Sequence, residues 1–214
     1  MVVVRGARSG QPRLDGEATP SIAAHQEKMT DEILITHTLG RTTQTRMKST
    51  IILLAGIPAA GKSHFGRWLE DRHDFLHFDV EKDGRLRALG LEPAWMNCFQ
   101  TGDVTPFIDA LRPLGRPILL NWGFPVNCLP LAERFRQNGV VLWWFEADAE
   151  HAKSEFIKRG DVSLAAFERQ MKALADSHEV IEALFRPNII TTLDDEGQRM
   201  EPEEIFRRVF SDRD

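Results

Sequence analysis

One short segment of the sequence has the residue types and the spacing of a phosphate-binding loop. Residues 56–63, Gly-Ile-Pro-Ala-Ala-Gly-Lys-Ser, match the pattern G-x-x-x-x-G-K-[ST] at every required position. Gly56 lets the chain turn sharply, and Gly61 lets the backbone approach a phosphate oxygen, so that the loop N–H groups form an anion cradle. Lys62 supplies a point charge for the β- and γ-phosphates, and the Ser63 hydroxyl is a ligand suited to Mg²⁺. The predicted nucleotide-binding residues are Gly56, Ile57, Pro58, Ala59, Ala60, Gly61, Lys62, Ser63 and His64.

Strand and helix patterns alternate along the chain around this loop. The continuous apolar run Ile51–Ala55 predicts a parallel strand that is covered on both faces, and residues 62–71 have apolar side chains at helical spacing. Further strands are predicted at 75–78, 117–121, 140–145 and 188–192, and further helices at 105–114, 129–137, 149–159, 163–185 and 202–210. The alternation predicts an α/β fold in which helices sandwich a five-stranded parallel sheet with right-handed crossovers.

The first 48 residues differ in composition from the rest of the chain. They contain several Gly, Pro, Ser and Thr residues without sustained periodicity, which predicts a poorly structured extension before a domain at 49–214. Two other interpretations stay open. Three arginines before residue 14 favour a targeting peptide, and translation could instead begin at Met29 or Met47.

The composition argues against several classes of function. The chain has 27 basic and 32 acidic residues, and its net charge of −5 argues against a sequence-independent affinity for nucleic acid or anionic membranes. Residues 1–48 hold seven of the basic and five of the acidic residues, so the acidic excess belongs to residues 49–214. No apolar stretch reaches the roughly 20 residues of a membrane span. Cys98 and Cys128 lack the spacing of a disulfide framework or a zinc module, which fits a reducing, cytoplasmic location.

The stretch at 47–71, MKSTIILLAGIPAAGKSHFGRWLED, resembles the start of P-loop small-molecule kinases. That group includes gluconate and shikimate kinases, chloramphenicol phosphotransferase, zeta-toxin kinases and the kinase domain of polynucleotide kinases. The resemblance extends over residues 47–210, and the loop is its most specific part. It implies a sheet like that of nucleoside monophosphate kinases, with strand order 2-3-1-4-5, and it implies ATP and Mg²⁺ as cofactors.

The resemblance also implies roles for residues outside the loop. In the family the second strand ends in an Asp that faces the acceptor and the metal, and Asp79 has this place in FLHFDVEKDGR. Lys82 stands where the family has a basic residue three positions further on. The family's short basic lid after the fourth strand corresponds to AEHAKSEFIKRGD, with Lys153, Lys158 and Arg159. The implied catalytic residues are Lys62, Asp79 and Arg159, and the implied metal ligands are Ser63 and Asp79.

Structural interpretations compete with these roles. Asp79 is expected at the carboxyl edge of the sheet, where it would accept the proton of the acceptor hydroxyl, but a turn or capping Asp has the same pattern. The fork of Arg159 would bind the transferred phosphoryl group, or it would compensate the helix dipole before Gly160. Asn121 stands where such kinases often carry a carboxylate, which would leave Mg²⁺ to Ser63, phosphate oxygens, water and Asp79.

Further side chains near this edge are candidates for contacts with the acceptor. Arg85 and Arg87 would bind an anionic acceptor or lie solvated on the surface. His73 and His77 would lie about 13 Å apart along a strand, which argues against a metal pair. The aromatic candidates, which would stack on the acceptor or pack in the core, are Trp95, Phe99, Trp122 and Phe124.

Three functions follow from these features. The first is a Mg²⁺-dependent kinase that moves the ATP γ-phosphate to a small-molecule hydroxyl. The alternative is a nucleotide-dependent ATPase or switch that acts through a protein partner, which Asn121 in place of a carboxylate favours. The third is a kinase acting on a nucleic-acid end, against which the acidic domain argues.

Overall fold

A computed structural model of the protein describes residues 50–82, 84–123, 125–159 and 163–210. The predicted N-terminal extension, residues 1–48, lies outside these ranges and stays a prediction. Within them, no helix is both long enough and apolar enough to pass through a membrane.

Five parallel strands form one sheet at the centre of the structure. They are β1 (Ile51–Gly56), β2 (Leu76–Asp79), β3 (Ile118–Asn121), β4 (Val141–Glu146) and β5 (Ile189–Thr191). The strand order is β2-β3-β1-β4-β5. This confirms the predicted order 2-3-1-4-5 and the predicted α/β fold class.

Nine helices surround the sheet in the described ranges. They are α1 (Lys62–His73), α2 (Arg85–Ala88), α3 (Glu92–Thr101), α4 (Thr105–Leu111), α5 (Leu129–Gln137), α6 (Ala149–Arg159), α7 (Leu164–Asp176), α8 (His178–Phe185) and α9 (Pro202–Phe210). Short 3₁₀ turns at Arg112–Leu114 and Val126–Cys128 precede β3 and α5.

Two helical predictions were wrong in their extent. The single helix predicted at 163–185 is two helices, because Ser177 leaves helical geometry with φ −110° and ψ 11° and its carbonyl starts α8. Ser competes with helix interiors through local hydrogen bonds and favours helix ends. The helix predicted at 105–114 becomes a 3₁₀ turn at Arg112–Leu114, where Pro113 cannot donate a backbone hydrogen bond.

Side chains from both faces of the sheet are buried under helices. The ring of Trp143 packs against Phe210 of α9 at a centroid distance of 5.2 Å, whereas Trp144 packs against Phe185 of α8 at 5.1 Å. Consecutive strand residues point to opposite faces, so these two contacts show that β4 is covered on both sides.

The strand register brings three chemically active positions to one edge of the sheet. Asn121 at the end of β3 pairs with Asp79 at the end of β2 and with Leu54 of β1. The phosphate loop leaves β1 two residues later, at Gly56. The carboxyl ends of these strands therefore meet beside the loop, where ligands bind in open α/β sheets.

Candidate functional site

The backbone of the phosphate loop requires glycine at its two ends. Gly56 has φ +144°, and a Cβ there would lie 2.2 Å from the carbonyl oxygen of Phe145. Gly61 has φ +91° and caps α1 without a side-chain hydrogen bond. The first turn of α1 carries no acidic residue that would compete with an anion for the positive end of the helix dipole.

Lys62 is buried at the centre of the loop. Its side chain is only 8% exposed, and Nζ donates hydrogen bonds to the carbonyl oxygens of Gly56 at 3.0 Å and Ile57 at 2.8 Å. Both of these acceptors are neutral backbone carbonyls, which hold the ammonium group inside the loop. A buried ammonium group among the N–H groups of such a loop suits a phosphate.

Ser63, Asp79 and Asn121 form a hydrogen-bonded cluster directly beside the loop. The amide nitrogen of Asn121 donates to Ser63 Oγ at 2.8 Å and to Asp79 Oδ2 at 3.3 Å. Ser63 Oγ lies 3.5 Å from the same Asp79 oxygen. The second oxygen, Asp79 Oδ1, accepts from the backbone N–H groups of Glu81 and Lys82. These four bonds hold the Asp79 carboxylate beside Ser63 of the loop.

The oxygen atoms of Ser63 and Asp79 suit a shared Mg²⁺ ion. Two adjacent ligands of an octahedral ion at 2.0–2.1 Å lie about 3 Å apart, close to the separation of these two oxygens. Within the described residues, no three His, Cys, Asp or Glu side chains gather into a metal site. An ion held by Ser63 and Asp79 would need further oxygen ligands from outside this pair.

A cleft of about 600 Å³ opens from this cluster, and we call it the transfer cleft. The loop and the strand ends contribute Lys62, Ser63, Asp79 and Asn121 to one wall. The opposite wall is formed by α6, α7 and the segment after β3, with the lining residues Gly123, Pro125, Val126, Phe156, Arg169, Gln170 and Ala173. The cleft therefore places a reactive polar wall opposite a largely apolar one, which is the usual composition of a small-molecule site.

Glu81 adds a second carboxylate to the transfer cleft. It accepts a hydrogen bond from the backbone N–H of Gly123, and the position that a Cβ of Gly123 would take is 2.3 Å from Glu81 Oε2. Glu81 is exposed when the whole residue is considered, but its carboxylate packs against the backbone at Gly123, at the mouth of the cleft. Desolvation there, together with the negative charge of Asp79, raises the pKa of Glu81 above its ordinary value.

The predicted basic lid contributes less to the cleft than its sequence implies. Lys153 pairs with Glu168 at 3.3 Å and Lys158 pairs with Glu155 at 2.6 Å, and neither lysine lines the transfer cleft. Arg159 is the last residue of α6, and its side chain lies outside the described part of the structure. Its catalytic role stays a prediction.

Two arginines that the sequence analysis does not single out lie at the site. Arg169 of α7 lines the transfer cleft. Arg199 lies on the turn between β5 and α9, and its Nη2 donates to the carbonyl oxygen of Ala59 at 3.1 Å, beside Gly61. Neither belongs to a local motif, and each comes to the site only through the tertiary packing of distant segments. The sequence therefore carries no signal that would have found them.

Several acceptor candidates prove to have structural roles. Trp95 and Trp122 are buried and pack edge to face at 5.4 Å, and Phe99 packs on Trp122 at 5.7 Å. Arg87 forms a surface ion pair with Glu92 at 2.7 Å. Trp95 and Trp122 thus pack in the core and Arg87 lies on the surface, whereas Phe99 is 42% exposed. Phe124 lies outside the described residues.

The two histidines face different neighbours. His73 stacks on Phe206 of α9 at a centroid distance of 3.9 Å. His77 is buried against Gly66, where an added Cβ would lie 2.5 Å from the imidazole ring. The close approach of α1 to β2 at Gly66 accounts for the placement of His77.

Comparison with known proteins gives structural neighbours of the same architecture. No protein-family profile matches the sequence, and no curated protein matches it. Shikimate kinase from Acinetobacter baumannii in complex with shikimate has a TM-score of 0.49 and 11% identity, covering 79% of this chain and 98% of its own. Shikimate kinase from Bacteroides thetaiotaomicron has a TM-score of 0.46 and 12% identity, covering 76% and 96%. Deoxyadenosine kinase from M. mycoides with bound dATP has a TM-score of 0.43 and 11% identity, covering 76% and 98%.

All three of these neighbours are described as kinases. The strand order 2-3-1-4-5 and the loop between β1 and α1 are features of this chain itself. The chain thus has the strand order and the loop position of the P-loop NTPase fold.

Proposed function

We propose that this protein is a Mg²⁺-dependent kinase that transfers the γ-phosphoryl group of ATP to a hydroxyl group of a small molecule. The observation that carries the proposal is the convergence of Lys62, Ser63 and Asp79 at the head of one cleft. That arrangement provides a phosphate cradle, a pair of Mg²⁺ ligands and a carboxylate for the acceptor hydroxyl. Phosphoryl transfer depends mainly on such positioning and charge stabilisation.

In the proposed reaction the acceptor oxygen attacks the γ-phosphorus, and the bond to the β–γ bridging oxygen breaks, so that ADP leaves. Asp79 accepts the proton of the acceptor hydroxyl. Lys62 binds the β- and γ-phosphates, and the loop N–H groups hold the remaining phosphate oxygens. Mg²⁺, held by Ser63 and Asp79, would neutralise phosphate charge. Arg169 and Arg159 are the candidates on the opposite wall and in the lid for contact with the transferred group or the acceptor.

The experiment is ATP turnover by the full chain with a panel of small hydroxyl compounds. A many-fold rise in ADP release with one compound, together with a phosphorylated product, is expected. Asp79→Asn should then lower turnover by about 10²-fold or more, the range of acid–base and positioning groups. Asp71→Asn, an exposed Asp on α1, is the matched control and should keep its turnover.

A second measurement separates catalysis from nucleotide binding. Without Mg²⁺, ATP affinity by calorimetry should be equal in the wild type and Asp79→Asn, because the carboxylate is placed for the acceptor and the metal. With Mg²⁺, the variant should bind ATP somewhat more weakly. Equal turnover of both proteins would contradict the role of Asp79.

An ATPase or switch that acts through a protein partner is the second candidate. Asn121 favours it, because its amide nitrogen, rather than a carboxylate oxygen, faces Ser63 and Asp79. ATP hydrolysis that no hydroxyl compound in the panel stimulates would support this function over the kinase.

A further inference from the structure

A second cleft lies beside the transfer cleft, on the side of β2. It has a volume of about 590 Å³ and is bounded by the phosphate loop, α1, the end of β2 and the start of α2; we call it the α1–β2 cleft. It shares Lys62, Ser63 and Asp79 with the transfer cleft. A molecule in the α1–β2 cleft would therefore reach the same reactive groups.

The α1–β2 cleft carries an excess of positive charge. Arg67 of α1, Lys82 of the turn after β2 and Arg85 of α2 all line it. Besides Asp79, the described acidic residue that lines it is Glu70, which pairs with Arg85 at 2.6 Å. Lys62 and Asp79 belong to the transfer of the phosphoryl group. The described remainder of the cleft thus has three cations and one carboxylate, a net charge of about two.

Helix geometry places Arg67 on the same face of α1 as Ser63. Ser63, Arg67 and Glu70 are spaced i, i+4 and i+7 on α1, so they share one face of the helix. Ser63 Oγ is 3.5 Å from Asp79 Oδ2, and the Glu70 end of this face binds Arg85. At 1.5 Å per residue, Arg67 lies about 6 Å along the helix from Ser63. A small molecule is long enough to reach from Asp79 to Arg67.

The three cations are held differently. Arg85 is fixed by Glu70 and by the carbonyl oxygen of His77, to which it donates at 2.9 Å. Lys82 lies in the turn that follows Asp79. Its backbone N–H donates to Asp79 Oδ1 at 3.2 Å and thereby closes the turn. Arg67 is exposed and makes no ion pair with any carboxylate in the described ranges. Its fork of N–H donors can therefore bind an anion without giving up an existing partner.

We propose that the α1–β2 cleft binds a phosphate monoester group of the acceptor, so that the acceptor is a small hydroxyl compound that already carries one phosphate. The inference rests on the proposed kinase function and names its substrate class. A phosphate monoester has a charge near −2, which matches the net charge of the cleft. A single carboxylate would leave half of that charge uncompensated. Arginine forks also bind phosphate oxygens in pairs.

The test uses the full chain with saturating Mg·ADP, so that the phosphate loop is occupied. Calorimetry then measures binding of three probes that differ only at one end: glycerol 1-phosphate, glycerate and glycerol. Glycerol 1-phosphate should bind at least about tenfold more tightly than the other two. Arg67→Ala should weaken its binding by about tenfold to a hundredfold, the range for losing a hydrogen-bonded charge.

Arg72→Ala is the matched control, because Arg72 is an exposed arginine of the same helix that does not line the cleft. It should change the affinity by less than twofold. Binding of glycerate as tight as that of glycerol 1-phosphate would overturn the phosphate assignment. Equal affinity of the wild type and Arg67→Ala would overturn the site.

Failure of the kinase function has a different readout. If Mg·ADP itself does not bind, the nucleotide site is wrong, and glycerol 1-phosphate is then titrated alone into Lys62→Ala, with and without Arg67→Ala. Loss of binding on changing Arg67 in that background still supports the α1–β2 cleft as a phosphate site. Unchanged binding of glycerol 1-phosphate after Arg67→Ala would overturn it.

Discussion

Lys62 in the phosphate loop and Lys158 in the predicted lid helix α6 are held in opposite ways. On the loop wall, Lys62 is 8% exposed and donates to two neutral carbonyl oxygens. On the lid side, Lys158 is 68% exposed and donates to the carboxylate of Glu155 at 2.6 Å. The same type of side chain is thus buried against backbone carbonyls in one region and exposed in an ion pair in the other.

The difference in burial distinguishes a lysine suited to binding a ligand from one that forms an ion pair on the surface. A buried ammonium with carbonyl partners retains its field in a site of low dielectric, where a phosphate gains most from it. An exposed ion pair contributes at most about 1 kcal/mol and is screened by salt. A basic stretch in the sequence is therefore weaker evidence for a catalytic cation than a single lysine in the phosphate loop.

The largest expected effect comes from Lys62→Ala, and Lys158→Ala is the substitution with which it is compared. Lys62→Ala should lower turnover by about 10²–10³-fold or more, as expected for loss of a group that stabilises transferred charge. Lys158→Ala should change it by less than about threefold, because Glu155 already compensates the charge. The measurement is steady-state ADP release under saturating ATP.

Circular dichroism and thermal unfolding of both variants control for the fold. Lys62 serves the loop and not the core, so Lys62→Ala should keep the secondary structure of the wild type. Near-wild-type turnover by a folded Lys62→Ala protein would remove the loop from the reaction. A large loss in Lys158→Ala would show that the lid helix contributes its cation after all.

The second effect concerns the backbone that supports the loop wall. Gly56→Ala would place a Cβ 2.2 Å from the Phe145 carbonyl oxygen at φ +144°, so it should lower the free energy of unfolding by about 3 kcal/mol. Gly139→Ala is the control, since Gly139 has φ +84° with no atom within 4 Å of its added Cβ. Gly139→Ala should lower the free energy of unfolding by only about 1 kcal/mol, from backbone strain alone. Equal losses in urea unfolding would mean that the steric contact at Gly56 is relieved by movement of β4.

The third effect tests the cluster at the head of the cleft. Asn121→Asp replaces the donor to Ser63 and Asp79 by a buried carboxylate near 3.3 Å from Asp79 Oδ2, which should lower the free energy of unfolding by about 2–3 kcal/mol at pH 7.5. The neighbouring negative charge raises the pKa of the new carboxyl group in the folded state. The loss should therefore be small near pH 4 and grow as the pH rises.

Millimolar Mg²⁺ should restore part of the stability of Asn121→Asp at pH 7.5, because Ser63 and both carboxylates would then share the ion. Asn127→Asp, at an exposed position after β3, is the control and should show neither effect. An equal loss at pH 4 and 7.5, with no recovery in Mg²⁺, would contradict a shared ion at this cluster.

The sequence predicts the sheet and the loop wall because their signals are local. The apolar run of β1, the glycines of the loop and the position of Asp79 at a strand end can all be recognised within a few residues. Once the strand order is known, the register brings Asp79 and Asn121 together. This half of the site follows from short-range patterns together with the general geometry of parallel sheets.

The other wall depends on packing that no short pattern encodes. Arg169 and Lys172 are both exposed cations of α7, yet Arg169 lines the cleft and Lys172 pairs with Asp176 on the surface. Only the orientation of α7 over the sheet distinguishes them. Likewise α2 and α3 were not predicted from residues 85–101, where a glycine and a proline interrupt the periodicity.

The smallest effect concerns Glu81, at the mouth of the same cleft. Desolvation and the charge of Asp79 raise the pKa of Glu81 in the folded protein, so the ionised carboxylate destabilises the fold at neutral pH. Glu81→Gln removes this charge, and the amide oxygen can still accept from the Gly123 N–H group. We expect a small rise in Tm at pH 7.5, reduced by solvent screening because Glu81 is exposed. The rise should vanish below the ordinary pKa of glutamate, where Glu81 is protonated in the folded and unfolded states alike. A Tm gain that is constant from pH 4 to pH 8 would assign the effect to packing against Gly123, and the charge of Asp79 would then not reach the cleft mouth.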